Sequence, residues 1–243
     1  MAKKYSETHQ IPYYECDTEN YLKIPTMIKM LIKISEDQSA SLGVSDEFVL
    51  SLGLGWIILQ HDLTIHRLPQ AGESIKLVTE AESYNKYFCY RNFWIYDEAG
   101  KECVHMETTF ALMDLKERKM GSVPDEVIAP FESEKIKRIK RGEKILPLET
   151  AEREEEYRVR YYDIDGNKHV NNSVYLDWML DVLGYEFLST HVPKTIFIKF
   201  NKEVRYGESV MSRYQHVEEG VTRHQISFGG DASADANMTW EKR

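Results

Sequence analysis

Tyr161-Tyr162-Asp163-Ile164-Asp165-Gly166-Asn167-Lys168-His169-Val170-Asn171-Asn172-Ser173-Val174-Tyr175-Leu176-Asp177-Trp178 is polar in its first half and has a helical pattern in its second. Beyond the two asparagines, the residues up to Leu183 are apolar except Ser173, Asp177 and Asp181, which recur every fourth position as one narrow polar stripe. A helix apolar around most of its circumference has to be wrapped by other structure. Asn171, Asn172 and Ser173 offer side-chain oxygens where the helix begins, and Gly184 stands where a left-handed cap would end it. Upstream, Asp165, Asn167 and His169 alternate with Gly166 and Lys168. In an extended segment the three would point to one side, bringing a base, an amide and an imidazole beside a helix N-terminus whose free N–H groups suit an oxyanion. The same residue types also make ordinary turns.

The continuation through Val170-Asn171-Asn172 narrows the reading. Asp163 to Asn172, with Tyr175 and Trp178 following, closely resembles the signature of the acyl-acyl carrier protein thioesterases of plants and bacteria. The resemblance implies an α+β tandem hotdog fold, in which each copy is a long helix wrapped by a curved antiparallel sheet. It also implies hydrolysis of fatty acyl-acyl carrier protein, with acyl carrier protein as partner and no cofactor. Asp165, Asn167 and His169 become candidate catalytic residues, and Glu203 in Phe200-Asn201-Lys202-Glu203-Val204-Arg205-Tyr206-Gly207 takes the place of the family's fourth polar residue. Plant members have a cysteine directly after that glutamate. Val204 stands there in this chain, which rules out a cysteine nucleophile at that position and favours direct attack by water. Glu203 is then the expected general base, with Asp165 and His169 orienting the network and Asn167 positioning water or the carbonyl. Asn171 and Asn172 are further candidates for contact with substrate. The plastid transit peptide of plant members is absent, as expected of a bacterial-type or processed chain.

Outward from this stretch the pattern repeats. Pro25 opens a helix carrying Met27, Ile28, Leu31, Ile32 and Ile34 toward Gly43. Strands are expected over 59–68, 74–83, 87–96 and 103–115, and in the second half over 196–205, 210–217, 221–228 and 238–242. Gly72-Glu73-Ser74-Ile75 answers Gly207-Glu208-Ser209-Val210 at an offset of 135 (207 − 72), and Asp17 with Glu19 answers Asp163 with Asp165 at 146 (163 − 17). Two copies of a helix-plus-meander unit explain both, with the extra residues of the first copy expected around Ser45 to Gly55. The expected units are an N-terminal hotdog domain over 1–116 that houses the acyl chain, a charged linker over 117–156 with Pro124, Pro130 and Pro147, and a catalytic hotdog domain over 157–243. Met27, Met30 and Ile34 are the expected lining of the acyl pocket.

The chain's 243 residues carry a formal charge of −9, which argues against nucleic acid as the main partner. Cys16, Cys89 and Cys103 are too few for a disulfide framework or zinc cluster, which suits a cytoplasmic protein. No apolar run approaches a membrane span, and no P-loop, Gly-x-Ser-x-Gly elbow or His-Glu-x-x-His motif occurs. A metal on Asp163, Asp165 and His169 has no further ligand cluster to complete it. His61, His66 and His105 fall in strand patterns and read as structural. A tandem pair already buries the face a single hotdog uses to dimerise, leaving monomer or homodimer open. Two other readings stand: a hotdog acyl-CoA thioesterase, and a non-catalytic acyl-thioester binder, which would have little need of the complete polar set. The run from Lys135 to Arg141, followed by Lys144, is the densest basic patch and reads either as a solvated linker helix or as a docking surface for an acidic carrier protein.

Overall fold

Two five-stranded halves join edge to edge into one sheet, and each half packs on its own helix. The computed structural model describes residues 2–243. The first half comprises β1 (Lys4–Gln10), α1 (Ile24–Ser41), α2 (Asp46–Ser51), β2 (Leu54–Ile65), β3 (Ser74–Tyr84), β4 (Phe88–Tyr96) and β5 (Glu102–Asp114). A short extension follows, with β6 (Lys119–Gly121), α3 (Asp125–Ile128) and β7 (Glu134–Lys135). The second half has β8 (Arg153–Arg158), α4 (Asn172–Asp181), α5 (Tyr185–Thr190), β9 (His191–Phe200), β10 (Ser209–Glu218), β11 (Val221–Phe228) and β12 (Asp231–Lys242).

The strand order β1-β3-β4-β5-β2-β9-β12-β11-β10-β8 is the same path walked twice, mirrored about β2 and β9. These two strands pair antiparallel from Gln60 opposite Lys199 to Thr64 opposite Thr195. This is the double hotdog. Alternation fixes which face each strand buries: Ala236, Met238 and Trp240 of β12 are buried between more exposed neighbours. Helices α1 and α4 touch one another, so one hydrophobic core runs through both halves. Among the described residues no helix is long and apolar enough to cross a membrane.

The two copies superimpose in a register different from the expected one. Isolated bridges pair Cys16 with Leu22 and Ile164 with Val170, and a single 3-10 turn precedes each, over Tyr13–Glu15 and Tyr161–Asp163. All of these correspond at an offset of 148 (164 − 16), so Asp17 answers Asp165, Glu19 answers Asn167 and Tyr21 answers His169. The 146 offset matched the wrong pair of acids in two similar acid-rich turns. With 135 retained at Gly72 and Gly207, the first copy has 13 extra residues (148 − 135). Eight of them lengthen α1, which has 18 residues against 10 in α4. Of the remaining five, three fall between α1 and β2 and two lengthen β2, which has 12 residues against 10 in β9, so the insertion expected at 45–55 is mostly two extra helical turns.

The segment expected as linker is shorter than 117–156. β6 pairs with β5, β7 pairs with β3, and Val127, Ile128 and Phe131 are buried against the first half. β8 at the other end pairs with β10. Between them, 136–152 has neither helix nor strand, so the basic run forms no helix. It lies along the outer face of the sheet: the Lys140 N–H donates to the Tyr90 hydroxyl at 3.0 Å, and a Cβ added at Gly142 would stand 2.6 Å from the Phe197 ring.

Two histidines are sealed inside. His61 bonds to Thr108 Oγ1 at 2.8 Å and His224 to Thr222 Oγ1 at 2.8 Å, and burial pulls both imidazoles down to about 3. Between roughly 6.5 and 3 the unfolded chain therefore binds protons that the folded chain refuses, so stability falls as pH falls through that window. Each histidine contributes a slope of up to about 1.4 kcal/mol per pH unit. Carboxyl groups raised by desolvation, Glu36 and Asp177 among them, act with the opposite sign. Urea midpoints measured from pH 7 to pH 4 should fall, and His224→Gln should flatten the fall; an unchanged pH dependence in that variant would mean that His224 accepts its proton in the folded state.

Candidate active site

The loop between the 3-10 turn and α4 is built by its own side chains. Asp163 is buried and accepts from the Arg160 backbone N–H at 2.8 Å and its guanidinium at 2.9 Å, and its carbonyl accepts from Asn171 N–H at 2.9 Å. Asp165 Oδ1 accepts from Asn167 N–H at 2.8 Å and from His169 N–H at 3.4 Å. The segment is a tight turn rather than the extended strand expected. Lys168 N–H donates to Asp165 O, Asp165 N–H donates to His169 O, and Lys168 takes φ +66°. Asp165, Asn167 and His169 still converge on one cavity, through turn geometry instead of alternation.

Asn171 caps α4 as its sequence suggested: Oδ1 accepts from the Ser173 N–H at 3.0 Å and from its hydroxyl at 2.7 Å. Asn171 thus holds the helix start, and both it and Asn172, the first helical residue, line the cavity. Glu203 lies in the loop after β9, not in a strand as expected. The buried Val204 beside it explains the placement, because its carbonyl accepts from Val170 N–H at 3.0 Å and ties the Glu203 loop to the His169 loop.

The outcome is a close pair: Glu203 Oε2 lies 3.2 Å from His169 Nε2. The same oxygen accepts from Arg118 Nη2 at 2.9 Å. Arg118 comes from the turn between β5 and β6 in the other half of the molecule, inside the stretch read as linker, and nothing local in sequence marks it. Tyr175 also faces this space, its phenol held above its usual range by burial. Asn167 is exposed, and its side-chain amide has no partner among the described residues. A half-buried carboxylate on an imidazole, a free amide and a helix N-terminus together can activate water and receive an oxyanion. Among the described residues no group of three or more His, Cys, Asp or Glu is placed to hold a metal ion.

The cavity, of about 1570 Å³, opens at this cluster and runs beneath α1 into the first half. Two family models match the chain, the acyl-ACP thioesterase N-terminal domain over residues 2–131 and the acyl-ACP thioesterase C-terminal domain over 147–242. The chain belongs to the acyl-ACP thioesterase family. A Lactobacillus plantarum structure assigned as an oleoyl thioesterase is 33% identical, with TM-score 0.96, covering 99% of this chain and 97% of that one. The 12:0-ACP thioesterase of Umbellularia californica shares the fold at TM-score 0.89 and 19% identity, over 99% and 98% of the two chains. A chloroplastic acyl-[acyl-carrier-protein] hydrolase of Cuphea viscosissima is 25% identical over 94% of this chain. The chain spans 57% of that relative's length.

In this family member the two copies differ in chemistry. At the first copy's turn Asp17 Oδ1 accepts from Glu19 N–H and Tyr21 N–H, both at 2.9 Å, repeating the Asp165 geometry. Tyr21 takes the place of the histidine, Arg243 stacks over its ring at 4.5 Å, and the same guanidinium bonds Asp17 Oδ2 at 3.1 Å. The three expected pocket residues of α1 do not line the cavity. Met27 and Ile34 are fully buried in the core, and Met30 packs against it. The wall is instead Ile28, Ile32, Ser35 and Ser39, the neighbouring stripe of the same helix. The core stripe of Met27, Leu31 and Ile34 is apolar, while the cavity stripe is mixed, with Lys29, Lys33, Ser35 and Glu36 beside Ile28 and Ile32, so apolar periodicity marks the face that packs in the core and not the wall of the cavity. All three cysteines are free and buried. Burial pushes the Cys89 thiol up to about 12, a setting in which it is inert.

Proposed function

We propose that this chain hydrolyses fatty acyl thioesters carried on acyl carrier protein, releasing free fatty acid and ending chain elongation. The observation that carries the reading is the contact of Glu203 Oε2 with His169 Nε2 at 3.2 Å, at the mouth of a long cavity. Glu203 takes a proton from water as its oxygen attacks the thioester carbon, and Arg118 and His169 hold the carboxylate in place. Negative charge then moves to the carbonyl oxygen, where the Asn167 amide and the α4 N-terminus can receive it. As the C–S bond breaks, the proton passes to the departing sulfur and the acid is released. Asp165 keeps the turn in shape. Water is the nucleophile in this reading because Val204 stands directly after Glu203, where plant members have cysteine.

A release assay on acyl carrier protein and coenzyme A thioesters of graded length tests this: faster turnover of the carrier-protein forms is expected, and hydrolysis of coenzyme A esters alone would overturn it. The docking surface we propose is not the linker run. Lys140 pairs with Glu82 and Glu107, Lys135 lies over the Tyr84 ring, and the segment crosses the outer sheet face, away from the cavity. The cavity rim instead carries Lys29, Lys168 and Arg205, which pair with no acid among the described residues, together with Arg118 and Lys202, which pair with Glu203 and Asp231. An acidic carrier would be drawn to this collar despite the chain's net charge. Lys168→Glu with Arg205→Glu should lower kcat/KM for the carrier-protein substrate by about tenfold at low salt and by less at high salt. Equal losses on a small soluble thioester would assign the effect to the site rather than to docking.

A further inference from the structure

The inner part of the cavity is less apolar than a hydrocarbon chain requires. His61, Thr108 and Arg91 face one another on β2, β5 and β4 as a single cross-strand row, and Ile198 of β9 continues it toward the active-site half. Three strand spacings of about 4.8 Å put Arg91 about 14 Å across the sheet from β9. His61, Ser83 and Arg91 all line the cavity and are 0%, 3% and 7% exposed.

Each has hydrogen-bonding capacity that the protein leaves unmet. His61 spends Nδ1 on Thr108, and its Nε2 has no partner. The Ser83 hydroxyl has none. Arg91 donates from Nη1 to Gln38 Oε1 at 2.6 Å and to Thr79 Oγ1 at 3.2 Å, and its guanidinium lies 5.0 Å over the Phe131 ring. Both oxygens are neutral, and among the described residues neither Nε nor Nη2 has a hydrogen-bond partner. No carboxylate faces this guanidinium, and desolvation alone draws it down to about 10. A buried cation with spare donors is costly, and costlier still once a methyl-ended chain fills the space beside it.

We propose that the inner end of the cavity recognises an oxygen function, a carboxylate or a hydroxyl, on the far part of the acyl chain, bound by Arg91 and Ser83. This rests on the thioesterase reading for its substrate but not for its binding. An oxygen acceptor arriving at that depth meets the free Arg91 donors, and the Ser83 hydroxyl can donate to or accept from it. A hydrocarbon tail of equal length leaves both sites bare. A pocket built to hydrogen-bond a substrate oxygen discriminates strongly against the analogue that lacks it.

The experiment compares three series of matched length, with alkyl, ω-hydroxy and ω-carboxy ends, in two formats. As thioesters on acyl carrier protein they give kcat/KM, and as free fatty acids they give Kd by calorimetry. At the length that reaches Arg91, an oxygenated end should be favoured over the alkyl end at least about tenfold in both formats. Arg91→Met should erase or reverse that ratio, and Ser83→Ala should reduce it. A wild-type preference for alkyl ends at every length, or an unchanged ratio in a folded Arg91→Met protein, would return Arg91 to the role of tying α1 to the sheet through Gln38. If Arg91→Met does not fold, the wild-type ratio and Ser83→Ala still decide. Failure to hydrolyse any carrier-protein thioester would overturn the proposed activity, while the calorimetric ratio would still answer for the pocket.

Discussion

Glu203→Gln should lower kcat by about 10²–10⁴-fold, the range that general base catalysis supplies, while leaving KM and the melting temperature close to wild type. The amide keeps the shape of the side chain and an oxygen that can still accept from Arg118, whose Nη2 lies 2.9 Å from the carboxylate. It loses only the ability to take a proton from water. His169→Ala should lose activity on a similar scale, because its Nε2 is the other group within 3.2 Å of the same oxygen. The two losses should not add: if glutamate and imidazole act on one water, the double variant should be about as slow as the worse single one. Steady-state kinetics with a parallel thermal melt separates this from misfolding. Near wild-type turnover in a folded Glu203→Gln protein would remove Glu203 as the base.

Most of the frame could be read from residues whose local chemistry has one solution. Gly72 and Gly207 adopt φ +87° and +81°, a conformation that favours glycine, so the turns they mark fall where the sequence put them. Strands β3, β4, β5, β10 and β11 alternate clearly enough to be seen. β1 and β8 were missed because they are the edges of the sheet: Lys4–Gln10 and Arg153–Arg158 are polar and charged, as edge strands that resist pairing with other chains tend to be. In β8 the charge looked like linker.

The site was half legible for a similar reason. Asp165, Asn167 and His169 lie within five residues, so any compact loop would gather them, although the loop proved to be a turn. Glu203 was found only through resemblance, since an acid in a charged chain carries no mark of its own. Arg118 had no signal: it is 85 residues from the carboxylate it holds and reaches it across the junction of the two halves. Arg91, Ser83 and His61 were invisible as a group because their meeting depends on strand register, which a single sequence fixes only after the fold is known.

The second large effect concerns Asp165, and the molecule holds its own control. Asp165 and Asp17 carry out the same backbone task, each accepting two N–H groups of its turn, at 2.8 and 3.4 Å in one copy and 2.9 and 2.9 Å in the other. Since the first copy has tyrosine where the second has histidine, the shared aspartate accounts for loop shape without any catalysis. Asp17→Ala and Asp165→Ala should each cost roughly 1.5–3 kcal/mol of stability, the range for hydrogen bonds to a charged acceptor. Only Asp165→Ala should also cut kcat, by at least about tenfold, because the turn it releases carries Asn167 and His169. Asparagine is the discriminating substitution. Its side-chain oxygen can cap the same two N–H groups but cannot act as a base, so Asp165→Asn should retain turnover within about tenfold of wild type. A loss in Asp165→Asn as deep as in Glu203→Gln, at unchanged melting temperature, would show that the Asp165 charge takes part in the reaction and would move the proton acceptor from the loop after β9 to the turn before α4.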